Sequence, residues 1–302
     1  MLMMNDVSVI LTDINDVQHS FSEIISFKII KEYFTPYTSA SLKLICSDEF
    51  FQYKDLTVKI NGFTAHHGLI DTAEYISRSD NTILSISSKS FSSLLLQNQP
   101  VPGMIYNTSL NSLMESFIDI PYVTHEDNSQ VQNYIFLKDN ANLWDAVVNI
   151  SYKVSGIYPY IRDNNCIRVT LPENPKSIDL QDKCIFSRGI ILDYSDIVSD
   201  FHMQDIDENY DVYSLHNDDA SARNIIRHRQ IPLDRQYLSD PYAGMLNRIN
   251  YSMHGCYAEY TEYEGFCGED ICDKLADGSR IDKIIINGNA AGLKTSLFHY
   301  MQ

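Results

Sequence analysis

The sequence predicts an α+β, β-rich protein in which β-rich segments flank a smaller α+β middle region. Three observations predict it. Apolar residues alternate with period two between Val7 and Ser87, take a helical period twice between Leu110 and Ile150, and return to short alternating runs after Leu171-Pro172-Glu173-Asn174-Pro175. The 302 residues, 44% of them hydrophobic, suffice for a sizeable core spread over two or three domains.

In chain order, Val7 to Leu11 reads as a strand, and Ile25, Phe27 and Ile29 alternate with Ser26, Lys28 and Ile30 in the next. Ser41 to Cys46 alternates similarly. Val58-Lys59-Ile60 runs into Asn61-Gly62, a strong hairpin signal because both residues accept positive φ. Leu69-Ile70 and Thr82 to Ser87 complete about six strands, a spacing that predicts a closed sheet, either a small barrel or a sandwich. His66 and His67 follow the hairpin; neighbours on a strand face opposite ways and cannot share one metal, so the expectation is a surface or edge position.

The middle region holds two helices and a hairpin. Thr108 or Asn107 can cap the first helix, and Leu110, Leu113, Met114, Phe117 and Ile118 form one apolar stripe that ends before Pro121. Thr124 to Gln132 reads as an exposed polar loop and Tyr134 to Leu137 as a strand. Asn142 can cap the second helix, which carries Leu143, Val147 and Ile150 on one side with Trp144 and Val148 beside them, and Gly156 offers a left-handed stop. Beyond it, Asn164-Asn165 can turn Tyr158 to Arg162 back onto Cys166 to Val169, with Pro159 marking an edge strand. Trp144, Leu143 and Phe117 are read as core.

The two prolines at 172 and 175 mark a boundary. After it, Ile190-Ile191-Leu192, Ser199 to Met203 and Val212 to Leu215 read as strands, and His216 to Leu238 as a polar stretch with Arg223, Arg227, His228, Arg229 and Arg235 that can face an acidic partner. Tyr242 to Ser252 is a candidate helix with Ala243, Leu246 and Ile249 on one face. Tyr257 to Tyr263, Ile271-Cys272 before Asp277-Gly278, Ile284 to Ile286 before Asn287-Gly288, and Thr295 to Phe298 read as closing strands.

Chemistry is sparse. A formal charge of −17 argues against tight nucleic-acid binding, which needs clustered Lys and Arg. The N-terminus lacks a basic stretch followed by a long apolar run, so no leader or membrane insertion by this chain is expected. Six scattered cysteines, Cys46, Cys166, Cys184, Cys256, Cys267 and Cys272, fit reduced thiols better than a disulfide framework. His254, Cys256, Cys267 and Cys272 form the one metal-like cluster, but the short knuckle spacing of zinc sites is missing, and buried thiols are the simpler reading. Acidic pairs such as Asp193 and Asp196, Asp205 and Asp207, Glu262 and Glu264, and Glu269-Asp270 are expected by chance among 40 acidic residues. No glycine elbow or P-loop is present. The sequence therefore assigns no catalytic, cofactor-binding or metal residue, and the chain is expected not to be an enzyme.

A resemblance adds to this reading. Ser90 to Gly103, with Leu94-Leu95-Leu96, Asn98-Gln99-Pro100 and Pro102-Gly103, then Asn107 to Leu113, and then Asn142-Leu143-Trp144-Asp145 to Gly156 and Tyr158-Pro159-Tyr160 resemble the baseplate hub proteins of contractile phage tails, of the Mu-like tail hub type. They also resemble the hub part of type VI secretion spike proteins. Gly268-Glu269-Asp270-Ile271 and Lys294-Thr295-Ser296-Leu297 extend the match towards the C-terminus, and it is thin between Asp200 and Gly255. The resemblance implies two tube-like β-barrel modules bracketing the α+β middle: an N-terminal barrel at 1–89, a middle domain at 90–175, and a C-terminal β-rich domain at 176–302 containing the second barrel. It implies a virion structural protein of the tail baseplate, assembled in the bacterial cytoplasm. The expected assembly is a homotrimer forming a pseudo-sixfold ring between tail tube protein and spike protein, in contact with other baseplate components. DNA would pass through its lumen, and lumen-facing acidity would let it slide. A tail-associated cell-wall enzyme and a receptor or adaptor module, the latter using Tyr257, Tyr260 and Tyr263, are the alternatives.

Overall fold

The computed structural model describes residues 6–46, 50–77, 81–117, 119–205, 207, 209–210, 213–232, 249 and 257–301. Its N-terminal strands are β1 (Val7–Asp13), β2 (Gln18–Phe21), β3 (Ile24–Glu32), β4 (Ser39–Cys46), β5 (Tyr53–Ile60), β6 (Phe63–Ser77) and β7 (Thr82–Ser90). The middle holds α1 (Leu94–Gln97), β8 (Gly103–Thr108), α2 (Leu110–Phe117), β9 (Thr124–His125), β10 (Gln132–Leu137), α3 (Leu143–Val154), β11 (Tyr160–Arg162) and β12 (Cys166–Arg168). Then come β13 (Ser177–Ile178), β14 (Ile185–Leu192), β15 (Asp200–Met203), β16 (Tyr213–His216), α4 (Asp218–Ala222), β17 (His228–Ile231), β18 (Tyr257–Glu264), β19 (Lys274–Leu275), β20 (Lys283–Asn289) and β21 (Gly292–Tyr300). The protein is β-rich with few helices. Among the described residues eleven strands join in one large curled antiparallel sheet, in the order β14-β18-β21-β20-β3-β4-β7-β6-β5-β1-β2.

The C-terminal strands therefore continue the N-terminal sheet through the β3–β20 pair. One apolar core lies under both, from Val9, Leu11, Leu44 and Leu84 to Ile284, Ile286 and Leu297. Strand β6 makes the corner. Its first half pairs with β5 and its second half with β7, with a shift in register between Ile70 and Thr72. Gly68 sits at the changeover, where an added Cβ would stand 2.1 Å from the Lys89 carbonyl oxygen. The Asn61-Gly62 turn forms as expected, with φ of 51° and 82°.

His66 corrects the surface expectation. Because His66 lies opposite the core residue Val58 of β5, its side chain points into the core and is fully buried, with Nε2 2.8 Å from Ser88 Oγ. His67, on the other face, is half-buried against Phe91 and Tyr122. Burial, followed by the charges of Lys31 and His67, pushes the His66 pKa down to about 3. In the unfolded chain it is near 6.5, so between about pH 6.5 and 3 the unfolded state holds a proton that the folded state lacks, and stability falls as pH falls. Urea unfolding at pH 5 is expected to show His66 costing about 2 kcal/mol relative to pH 7.5. The pH slope should flatten in His66→Asn, and an unchanged slope would contradict the assignment.

The middle region has its own core, built on Leu110, Leu113, Ile135, Trp144, Val147, Ile150 and Ile167. Both anticipated helices form, with Leu143 and Trp144 buried and Phe117 packed against the cluster. Asn142 caps α3: its side chain accepts from the Asp145 amide at 2.9 Å, while the Asp145 carboxylate accepts from the Asn142 amide at 2.9 Å. Asn142→Ala is expected to cost about 1 kcal/mol in thermal unfolding. The cap of α2 is Ser109, which accepts from the Ser112 amide at 3.2 Å, because Asn107 and Thr108 still belong to strand β8. The hairpin turns at Asp163-Asn164, both with positive φ. Asn165 is freed to accept from the Ser92 amide and donate to the His67 carbonyl. The stretch from Thr124 to Gln132 is docked at its start: β9 pairs with β12, and buried Glu126 accepts from Val169 N and Thr170 Oγ1.

Two closing strands differ from the sequence reading. Ile271-Cys272 is a tight turn, with Cys272 at φ 66°, held by the side chains of Asp270 and Asp273. Asn287-Gly288 lies inside β20, and the chain reverses at Ala290-Ala291 instead. The glycine is needed there for packing, since the Phe27 ring lies 2.1 Å from where its Cβ would be. The polar stretch after His216 contains α4 and β17, and β17 pairs in parallel with β15. Of the helix anticipated at Tyr242 to Ser252, all but Ile249 lies outside the described residues; Ile249 packs on Val198, Phe201 and Met203.

Candidate functional surface: the polar face of the large sheet

Strand partners share a face, so the register maps one side of the sheet directly. Lys28 stands opposite Ser41 and Asn287, Ser41 opposite Ser87, Lys43 opposite Ser85, and Ser85 opposite Glu74. Beyond β20 the face continues through Lys294, Ser296 and Phe298 to Glu264, Glu262 and Tyr260. This side carries mostly polar and charged side chains, whereas the opposite side supplies Ile29, Leu42, Leu84, Ile284 and Leu297 to the core. A groove of about 400 Å³ runs along it between Lys28, Lys43, Glu74 and Asn287.

Its charge is balanced. Lys89 pairs with Asp71 at 3.2 Å, Lys283 with Glu32 at 3.3 Å and Lys294 with Glu262 at 3.2 Å. Lys28 and Lys43 are exposed and have no carboxylate within ion-pair distance among the described residues; Glu74 and Glu264 offset them. The chain's excess negative charge is therefore not concentrated on this face. What the surface offers is a wall on which lysines and carboxylates are mixed.

The residues weighed from the sequence fall elsewhere. Cys272 is buried, and burial pushes its thiol up to about 12, which disfavours the thiolate that a metal needs. Cys267 is partly buried, and His254 and Cys256 lie outside the described residues. Among the described residues no three His, Cys, Asp or Glu side chains are arranged to hold a metal, and no helix is long and apolar enough to cross a membrane. Glu269 is buried and raised by that burial, accepting from the Tyr263 hydroxyl at 2.7 Å and the Cys267 amide at 2.8 Å. It fixes a loop. Asp193 and Asp205 accept from backbone amides two residues on. Arg223 reaches the Tyr257 hydroxyl at 2.7 Å, and Arg227 binds the carbonyls of Ser195 and Ile197. Arg235 is outside the described residues. Tyr263 is buried and Tyr260 lies over Gly189, so the three tyrosines do not form one exposed patch.

One constellation was not legible in the sequence. His216 Nδ1 is 2.6 Å from Asp200 Oδ1, and its Nε2 is 3.0 Å from Ser221 Oγ, a Ser–His–Asp order assembled from β15, β16 and α4. The Asp200 hydrogen bond raises the His216 pKa. The two backbone amides nearest the serine are already taken: the Ser221 amide bonds the Asn217 carbonyl and the Arg223 amide the Ala220 carbonyl. The side chain of His216 is half-exposed, and Asp218 Oδ1 also approaches Nε2 at 3.6 Å. The arrangement suits a surface hydrogen-bond chain better than acyl transfer.

No family model and no curated protein matches the sequence. Solved structures do match its fold. A tail protein from Neisseria meningitidis MC58 aligns at TM-score 0.69 and 13% identity, covering 99% of this chain and 97% of that one. The 43 kDa tail protein of prophage MuSo2 from Shewanella oneidensis aligns at TM-score 0.67 and 13% identity, over 97% and 98% of the two chains. A component of the type VI secretion system of E. coli, itself described as similar to T4 bacteriophage tail proteins, aligns at TM-score 0.55 and 8% identity, over 91% and 73%. At these identities the likeness is one of fold.

Proposed function

We propose that this chain is a structural baseplate hub of a contractile phage tail or related injection machine, forming a homotrimeric ring that joins tail tube to central spike. The observation that carries the reading is the end-to-end fold likeness to phage tail proteins, which covers 99% of the chain. The sheet supports it. Two four-stranded runs, β14-β18-β21-β20 and β3-β4-β7-β6, meet at the β20–β3 pair. Each run is the wall of one tube-like module, so three copies offer six similar walls to a sixfold tube while keeping threefold symmetry for a spike. The balanced polar face lines the lumen and lets DNA or protein cargo pass without sticking. The middle domain packs outward or towards the spike, and the chain is a virion component with no catalytic role.

Co-expression with the tube and spike proteins of the same particle tests the reading. A complex holding three copies of this chain per spike trimer is expected. Ester or peptidoglycan hydrolysis by the purified chain that disappears in Ser221→Ala would instead establish an enzyme.

A further inference from the structure

The small sheet β16-β15-β17 has one apolar and one polar face. Phe201 and Met203 of β15 point into a core with Val198 and Ile249, joined by Leu215 and Ile231 of the flanking strands. Asp200 and His202 therefore face the other way. The register places His216 and His228 on either side of Asp200, so three of the chain's nine histidines share that face with one carboxylate.

The three histidines are engaged differently. His216 uses both ring nitrogens, one with Asp200 Oδ1 at 2.6 Å and the other with Ser221 Oγ at 3.0 Å. His202 and His228 meet each other. Their rings stack 13° from parallel with centroids 5.2 Å apart, and His202 Nε2 stands 2.9 Å from His228 Nδ1. Two ring nitrogens at that distance share one proton, which one donates and the other accepts. The same spacing is close to the bite of a chelate, since two nitrogens bound at about 2.1 Å to adjacent positions of one ion lie about 3.0–3.4 Å apart. The χ2 torsion of histidine is broad, so both lone pairs can turn onto an ion beside the pair.

A second observation concerns the other nitrogen of His228. Its Nε2 lies 3.8 Å from Asp200 Oδ2. A carboxylate on that side keeps the proton on Nε2 and makes the opposite nitrogen the stronger metal ligand. The nitrogen so selected is Nδ1, the one that faces His202. The pair is also open to solvent, with the His228 side chain 52% exposed and His202 partly exposed, so water reaches the remaining coordination positions.

We propose that His202 Nε2 and His228 Nδ1 chelate one divalent transition-metal ion that favours imidazole, such as zinc, with Asp200 behind His228 and water completing the coordination. The ion clamps β17 to β15. Only two protein side chains ligate it, which sets it apart from closed structural zinc sites with four. Because the ion takes the place of the shared proton, binding weakens as pH falls.

Calorimetric titration of the full chain with zinc, followed by zinc X-ray absorption on the saturated sample, tests the site. One zinc per chain is expected, bound through nitrogen and oxygen with two imidazoles. His202→Gln and His228→Gln should each lose it, Asp200→Asn should weaken it about tenfold, and His216→Gln should retain it. All four positions lie on the polar face, and circular dichroism checks that each variant folds. A chain that binds no zinc, zinc held by sulfur, or binding that survives in both His202→Gln and His228→Gln would overturn the site. An unchanged affinity in Asp200→Asn would overturn the role given to that carboxylate.

Discussion

Replacing Asp273 with alanine is expected to cost about 3–5 kcal/mol, which for a chain of this size lowers the unfolding temperature by about 10 °C. Its carboxylate is 1% exposed and holds three elements at once. Oδ1 accepts from Arg162 at 2.6 Å and from the Lys176 amide at 3.2 Å, and Oδ2 accepts from the Asp270 amide at 2.8 Å. Asp270 in turn pairs with Lys31 of β3 at 3.2 Å and accepts from the Asp163 amide at 2.8 Å. These two carboxylates tie the middle hairpin, the linker and the C-terminal loop to the sheet. Removing Asp273 leaves the guanidinium of Arg162, 15% exposed, without its countercharge. The double variant Arg162→Met with Asp273→Ala should lose less than the sum of the two single changes, and strict additivity would contradict the pairing.

Gly68→Ala is expected to destabilise by about 3 kcal/mol, the upper part of the range for overpacking. The obstruction is backbone: the new Cβ would meet the Lys89 carbonyl oxygen at 2.1 Å, its carbon at 2.5 Å and Ser90 Cα at 2.6 Å, and none can rotate away. Strand β6 would have to lift from β7 where the sheet turns its corner. Gly62→Ala is the control, since its Cβ meets nothing within 4 Å and only the φ of +82° is strained, which costs about 1–2 kcal/mol. Chemical denaturation of the two variants separates steric from conformational cost; equal losses would contradict the corner assignment.

Much of this fold is legible in local patterns. The Asn61-Gly62 turn, the Asn142 cap and the stripe from Leu110 to Phe117 announce themselves because each depends on residues within a turn or two. What escapes is set by distant chain. His66 looks like a surface residue until its pairing with the core residue Val58 of β5 is known, and Asn287-Gly288 looks like a turn until Phe27, some 260 residues earlier in sequence, is seen lying on the glycine. Ile271-Cys272 has the composition of a strand, but the Asp270 carboxylate takes the Ile271 amide and Asp273 takes the Asp270 amide, which closes a turn. The polar wall is written in Lys28, Ser41, Ser87 and Asn287, yet only the pairing of β3 with β4 and β20, and of β4 with β7, shows that they share one surface. The Asp200, His216 and Ser221 chain is invisible in sequence for the same reason.

The measurement closest to the central claim is negative-stain imaging of the purified chain, with the mass of the same peak determined by light scattering. A ring with a central hole and a mass near three times 34.6 kDa is the predicted result. A compact monomer with no ring at any concentration would contradict the hub reading.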